Sequence, residues 1–411
     1  MKKIFKNYKQ SIILLLSIFI GGILGVVFHE KTSVLNPFGD LFINMMFVVI
    51  VPLIFLTLTT TIAKMENPKR LGKIMLSIIA VIIITSLISV TIGIITTKSI
   101  PLLNSENTPN ILEALDDSIE PSNNLNIIER TVSILSVNDF QGLFSRNNII
   151  AILVFSIIFG FAIRLSKDKG KKTLEVLLSL NDVILNVLKI IMYYAPIGLG
   201  CYFASLVGNF GNEILVGYLK TFIVYHLVCI FVYFIIYGLY AFISGGKTKL
   251  KLYFQNIFPP TITALATCSS AASIPINIEN TKKMGVSSDI AETMIPIGTN
   301  FHKDGSIIGS CFKIMFLVYL FNANISTSKI ILVALLVTLL VTAVPVGGGT
   351  ISEMMILTLL DFPVAALPIL TIIATIIDPG ATVLNVVGDS ASSLLISRII
   401  DGKKNKRHPK A

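Results

Sequence analysis

Two stretches of this chain hold reactive residue types where little chemistry is expected. Gly298-Thr299-Asn300-Phe301-His302-Lys303-Asp304-Gly305-Ser306 and Asp378-Pro379-Gly380-Ala381-Thr382-Val383-Leu384-Asn385-Val386-Val387-Gly388-Asp389 place three carboxylates, an ammonium and an imidazole inside apolar sequence. A charged group at the centre of a membrane span costs at least about 2.5–3.5 kcal/mol, so such groups should face one another or a wet cavity. Asp378, Thr382, Asn385 and Asp389 fall at i, i+4, i+7 and i+11, one stripe of a helix. A polar stripe also glues helices together. For Thr382 and Asn385 that reading stands beside binding, whereas the aspartates point to ions or ligands. Gly305 after Asp304, and Pro379-Gly380 after Asp378, permit local unwinding that frees carbonyl oxygens for a dehydrated cation. His302 has the side chain to carry a proton near neutral pH, or to serve as a hydrogen-bonded core residue.

The elements that must position these residues are membrane spans. The chain has 411 residues, 54% hydrophobic and only 14% charged, against about 25% charged in soluble domains. A bilayer crossing takes about 20 apolar residues, and apolar runs recur at 11–28, 41–63, 74–97, 147–163, 174–206, 215–243, 287–320 and 366–399, which gives eight expected spans. Most of the 33 basic residues sit in short segments between these runs, among them Lys2 to Lys9, Lys64 to Lys73, Arg164 to Lys172, Lys247 to Lys251 and Arg398 to Lys410. Segment 98–145 is acidic. The positive-inside rule therefore places both termini in the cytoplasm and 98–145 outside, and the net charge of +10 reports topology rather than a nucleic-acid partner. The first run ends in Phe28-His29-Glu30-Lys31 without a small-residue cleavage site and reads as a retained span. Cys201, Cys229, Cys268 and Cys311 lie in apolar segments without metal-ligand spacing and read as packing.

Two segments break the pattern. Residues 253–281 contain Pro259-Pro260 and Thr267-Cys268-Ser269-Ser270-Ala271-Ala272-Ser273-Ile274-Pro275 between lysine-bearing flanks, and read as a helical hairpin entering half-way from the cytoplasm. Residues 329–365, with Val344-Pro345-Val346-Gly347-Gly348-Gly349-Thr350 at their middle, read as a second hairpin entering from outside. Gly347 to Gly349 alone could be a kink. Two matched interruptions of opposite orientation instead suggest an inverted repeat with a substrate site near the midplane.

Over nearly its whole length the chain resembles the glutamate transporter family, the dicarboxylate/amino acid:cation symporters. Tyr194-Ala195-Pro196-Ile197-Gly198 is similar to that family's Tyr-Ala-Pro-Ile-Gly, Ser269 to Pro275 to its serine-rich first hairpin, Asp304-Gly305-Ser306 to the end of its Asn-Met-Asp-Gly-Thr motif, Gly347 to Thr350 to its second hairpin tip, and Asp378 to Asp389 to its last helix. The resemblance implies an all-α polytopic fold with eight transmembrane helices and two re-entrant hairpins, assembled as a homotrimer. Residues 1–72 would form scaffold spans 1–2, 73–98 span 3 of a transport domain that moves like an elevator, and 99–145 an extracellular loop. Residues 146–244 would form scaffold spans 4–5 and transport span 6, 245–399 the transport core, and 400–411 a basic cytoplasmic tail. It implies a substrate shell of Ser269, Ser270, Ser306, Val346, Gly349, Asp378, Thr382 and Asn385. Cation sites would draw on Thr85, Ser86, Gly298, Asn300, His302, Asp304, Asn385 and Asp389, with Na+, H+ or both as coupling ions and no other cofactor.

Departures from the family pattern shape the expected substrate. An arginine that grips a side-chain carboxylate corresponds to Ala381, its steadying aspartate to Ala374, and the first hairpin's arginine to Cys268. The motif's Asn-Met is His302-Lys303, and a sodium-site tyrosine is Ile82. With Asp378 kept for an α-ammonium, the expectation is a plasma-membrane symporter of a small neutral amino acid. Lys303 would tune the charge in place of one cation. The alternatives are an acidic amino acid or dicarboxylate symporter that uses Lys303 for the carboxylate, an anion channel, or a transport-dead sensor. No nucleophile–base set suggests an enzyme.

Overall fold

The computed structural model describes residues 2–64, 72–103, 136–145, 148–210, 212–339 and 348–402. Val346, Gly347 and most of the acidic segment 98–145 lie outside these residues. No strand occurs among the described residues, as expected where lipid cannot satisfy an exposed backbone.

Helices α1 (Lys2–Phe28) and α2 (Asn36–Lys64) are joined by a 3-10 turn, His29–Leu35. They pack on the long α5 (Asp168–Phe210), and α2 also packs on α4 (Ile149–Leu165). The α1–α5 contact is backbone to backbone. A Cβ added to Gly25 would lie 2.6 Å from the Ala204 carbonyl oxygen and 2.7 Å from Val207 Cβ, the close approach that small residues allow in membranes.

The second group gathers around α14 (Leu367–Asp401). Helix α3 (Gly72–Ser99) joins this group, packing on α11 (Asp304–Leu320) and on α14. Helix α6 (Asn212–Phe231) runs through a π turn, Val232–Ile236, into α7 (Tyr237–Asn256). Helices α8 (Phe258–Thr267) and α9 (Ser270–Lys283) fold back on each other, and α10 (Ser288–Phe301) precedes α11. Helix α12 (Thr327–Leu339) packs against α13 (Gly348–Leu359). The expected hairpin segments are thus paired helices, with Cys268 at the first turn in the left-handed region (φ 45°).

Among the described residues the apolar runs are carried by helix, with one interruption at His302-Lys303. Among the described residues, five stretches are long and apolar enough to cross a bilayer: Leu16–Thr57, Ile74–Ser99, Asp168–Asn209, Ile214–Leu265 and Val364–Ile400. The run 287–320 does not form one helix, because it breaks between α10 and α11. Helix α14 shows the converse. It continues unbroken through Pro379, where local unwinding was expected. Proline removes only one N–H, and α14 is packed by helices on several sides that hold its course.

Candidate functional site

The break between α10 and α11 builds the first part of the site. His302 (φ −104°, ψ 97°) and Lys303 (φ −134°, ψ 60°) leave the helix, and Asp304 starts the next one. The His302 ring is fully buried. Its Nδ1 lies 2.9 Å from Asp389 Oδ1 on α14, and its Nε2 lies 2.9 Å from Thr85 Oγ1 on α3 and 3.2 Å from Ser392 Oγ. A carboxylate only accepts, so Nδ1 donates to Asp389; the neutral ring's Nε2 can accept from Ser392, while Thr85, whose hydrogen goes to the Ile82 carbonyl, is placed to accept from a protonated Nε2. The same Nε2 is 3.4 Å from Asp304 Oδ2. A lone pair facing a carboxylate repels it, and a proton on Nε2 turns that contact into attraction.

Asp304 is buried, and its Oδ2 accepts from the Tyr237 hydroxyl at 3.1 Å. That hydroxyl also reaches the Leu384 carbonyl at 3.0 Å. Asp304 Oδ1 and Ser86 Oγ are buried without a partner among the described residues. Buried oxygens without donors are costly unless something cationic or polar satisfies them. Gly298 is required by close approach, since a Cβ there would lie 2.6 Å from Asp389 Cγ.

The second part lies along α14. Asn385 Nδ2 donates to Ser306 Oγ at 3.0 Å, and Asn385 Oδ1 accepts from the Ser306 amide at 3.3 Å. Thr382 hydrogen-bonds the Asp378 carboxylate. Thr382, Asn385 and Asp389 are buried, whereas Asp378 is exposed. The stripe therefore runs from an accessible carboxylate inward to a buried one.

Ser269 is the N-cap of α9, its Oγ accepting from the Ala272 amide at 3.2 Å. Ser270 opens α9, and both helices of this hairpin pack on α14. The hairpin is tied to α14 by polar bonds deep in the protein. Asn277 Nδ2 donates to the Val386 carbonyl at 2.8 Å, and Ser390 Oγ donates to Asn277 Oδ1 at 2.5 Å. Thr281 and Ser390 hydroxyls meet at 2.8 Å.

Not every expected residue joins the site. Asn300 donates to the Pro296 carbonyl of its own helix at 3.0 Å, and no described contact brings it to the His302 cluster. Gly349 is the second residue of α13, and Val346 lies outside the described residues. Lys303 is half-buried at the start of α11, and the carboxylate on which its charge acts is Asp389. Sequence reasoning missed Tyr237 and, more consequentially, a buried pair. Lys313 on α11 places Nζ 3.4 Å from Glu353 Oε1 on α13, and Thr371 Oγ1 on α14 donates to Glu353 Oε2 at 3.0 Å. Both charges sit in apolar sequence, a signal that the rule applied to Asp304 would have caught.

Comparison with known proteins gives a consistent picture. The model of the sodium:dicarboxylate symporter family matches residues 11–399. A C4-dicarboxylate transport protein of Pectobacterium atrosepticum is 26% identical over 412 residues, covering 98% of this chain and 94% of the relative. A proton/sodium-glutamate symport protein of Bacillus caldotenax is 27% identical over 405 residues, covering 93% of each chain.

Proposed function

This chain belongs to the sodium:dicarboxylate symporter family, one of membrane transporters rather than enzymes, and we propose that it carries an amino acid whose α-ammonium binds Asp378, coupled to sodium ions, protons or both. The observation that carries this reading is the imidazole of His302 set between Asp389 (2.9 Å) and Asp304 (3.4 Å) at a helix break. One shared proton cannot neutralise two desolvated carboxylates, so a further positive charge, from Lys303 or a cotransported cation, must accompany loading. Partnerless oxygens on Asp304 and Ser86 are the natural ligands for it. Beside this cluster, Thr382, Asn385 and Ser306 line the way from Asp378, where an amino acid would lie.

In the same proposal the packing of α1, α2, α4 and α5 as one group, with α3 and the remaining helices around α14, corresponds to a scaffold and a moving transport domain. The hairpins α8–α9 and α12–α13 are re-entrant, the assembly is a homotrimer in the plasma membrane, and both termini are cytoplasmic. Ala381 and Cys268 bring no cation to the substrate's side chain, which favours a small neutral one as far as α14 and the first hairpin go. The relatives' names instead specify glutamate and C4-dicarboxylates. The side-chain preference turns on what α11 contributes.

Purified protein reconstituted in vesicles, with an imposed sodium or proton gradient and a panel of amino acids and C4-dicarboxylates, tests the proposal. Saturable, gradient-driven amino acid uptake is expected. C4-dicarboxylate uptake that no amino acid competes, or a steady current without saturable uptake, would refute it.

A further inference from the structure

We propose that Lys313, held by Glu353, is the cation that receives a side-chain carboxylate of the substrate, so that the chain carries a dicarboxylic amino acid. This deepens the symporter reading and rests on it.

The pair is buried, with side-chain exposures of 8% for Lys313 and 1% for Glu353. A buried ion pair is weak as a source of stability, because desolvation offsets most of the attraction and an apolar pair of equal volume does as well or better. Keeping one within the membrane-embedded bundle points to function. Glu353 uses both oxygens, one toward Lys313 and one on Thr371. The ammonium has three donors, and its one hydrogen bond among the described residues, to Glu353, is long at 3.4 Å.

Helix register brings this ammonium to the substrate path. A Cβ on Gly305 would lie 2.8 Å from Ala381 Cα, and one on Gly309 would lie 2.8 Å from Ile377 Cδ1. One helix advances four residues as the other recedes four, so α11 and α14 run antiparallel. The next turn sets Lys313 level with Ile373 and Ala374, one turn from Asp378. The Thr371–Glu353 bond agrees with that register, and Asp378 lies within the field of both Lys313 and Glu353. Ser306 and Lys313 are seven residues apart on α11, as are Asp378 and Asn385 on α14, so each pair shares a helix face. The bonded Ser306–Asn385 contact marks one end of a polar strip between α11 and α14, and by the same register Lys313 and Asp378 stand at the other.

Three recognition elements then match three groups of the substrate. Asp378 takes the α-ammonium, Lys313 the side-chain carboxylate, and the Asn385 amide with the Ser306 hydroxyl the α-carboxylate. Lys313 is already balanced by Glu353, so the extra negative charge of the substrate must be offset by a cotransported cation. The neutral preference read from Ala381 and Cys268 considered only the last helix and the first hairpin, and this cation enters from a third element.

The test is competition among aspartate, glutamate, alanine and serine for binding to purified full-length protein, read by thermal shift and vesicle uptake, in wild type, Lys313→Met, Lys313→Arg and the double variant Lys313→Met/Glu353→Gln. Wild type should prefer an acidic amino acid by at least tenfold. Lys313→Met should weaken acidic substrates by on the order of 100-fold while changing alanine or serine binding by less than about threefold, and Lys313→Arg should restore most of the acidic affinity. The double variant removes the unpaired glutamate, and folding is followed by its unfolding temperature. A wild type that prefers neutral amino acids overturns the assignment without any variant and leaves the symporter reading intact. Parallel loss of acidic and neutral binding in a folded double variant overturns it too, because the pair would then be structural. If no amino acid binds the wild type, the failure belongs to the symporter reading itself.

Discussion

Replacing His302 by glutamine separates proton coupling from sodium coupling. The imidazole makes a hydrogen bond of 2.9 Å to Asp389 and one of 2.9 Å to Thr85, with further contacts at 3.2 Å to Ser392 and 3.4 Å to Asp304. Glutamine can keep a donor for Asp389 but cannot also span to Thr85 and Asp304, and it never carries a charge. The lost charge-assisted contact is worth roughly 1.5–3 kcal/mol, and burying Asp304 with a weaker neighbourhood adds about 1–3 kcal/mol. The empty variant should therefore be about 2.5–6 kcal/mol less stable without sodium, and saturating sodium should recover much of that through linkage. In vesicles, an inward proton gradient should drive uptake in the wild type, because an acidic outside loads the imidazole and lowers the negative charge of the Asp304–Asp389 pair. In His302→Gln that response should vanish while sodium dependence steepens. Proton-driven uptake in the variant within twofold of the wild type would refute the reasoning, since His302 would then be a core residue and nothing more.

Three other outcomes follow from the same geometry. Asp378→Asn should weaken every amino acid substrate by more than tenfold in binding measurements, because the α-ammonium is left desolvated without its only exposed carboxylate on the stripe. Lys303→Met should raise the sodium concentration needed for half-maximal uptake, acting through Asp389, the carboxylate its charge reaches; an unchanged sodium requirement would remove it from charge balance. Tyr237→Phe strips the 3.1 Å hydrogen bond from Asp304 and should cost about 1–3 kcal/mol in unfolding experiments, with sodium affinity altered because the carboxylate is freed.

Much of this arrangement was legible in the sequence because burial in lipid restricts which charges survive there. The apolar runs gave the helices and the spacing from Asp378 to Asp389 put four polar residues on one face, whereas the break expected around Asp304-Gly305 falls just before it, at His302-Lys303, and Gly305 is helical. His302 was visible as a candidate proton carrier or hydrogen-bonded core residue, but its placement between Asp389 and Asp304 was not, since those partners lie on different helices. Pro379 misled because local sequence suggests a kink, while packing around α14 keeps the helix whole. Lys313 and Glu353 escaped because each is a single charge in an apolar run. Only tertiary register makes them a pair across 40 residues.

The bonds from Asn277 and Thr281 to α14 bear on which helices can part from one another. Asn277 is fixed at both ends of its amide, to Val386 and to Ser390, and Thr281 doubles the fastening one turn on. These groups are buried, so parting them would strand several polar atoms in an apolar interior at about 1–3 kcal/mol each. The hairpin of α8 and α9 therefore behaves as the fixed jaw of a vice, riveted to the helix that carries the aspartates. Any displacement of α14 would therefore carry α8 and α9 with it, so that the aspartates and the first hairpin form one body.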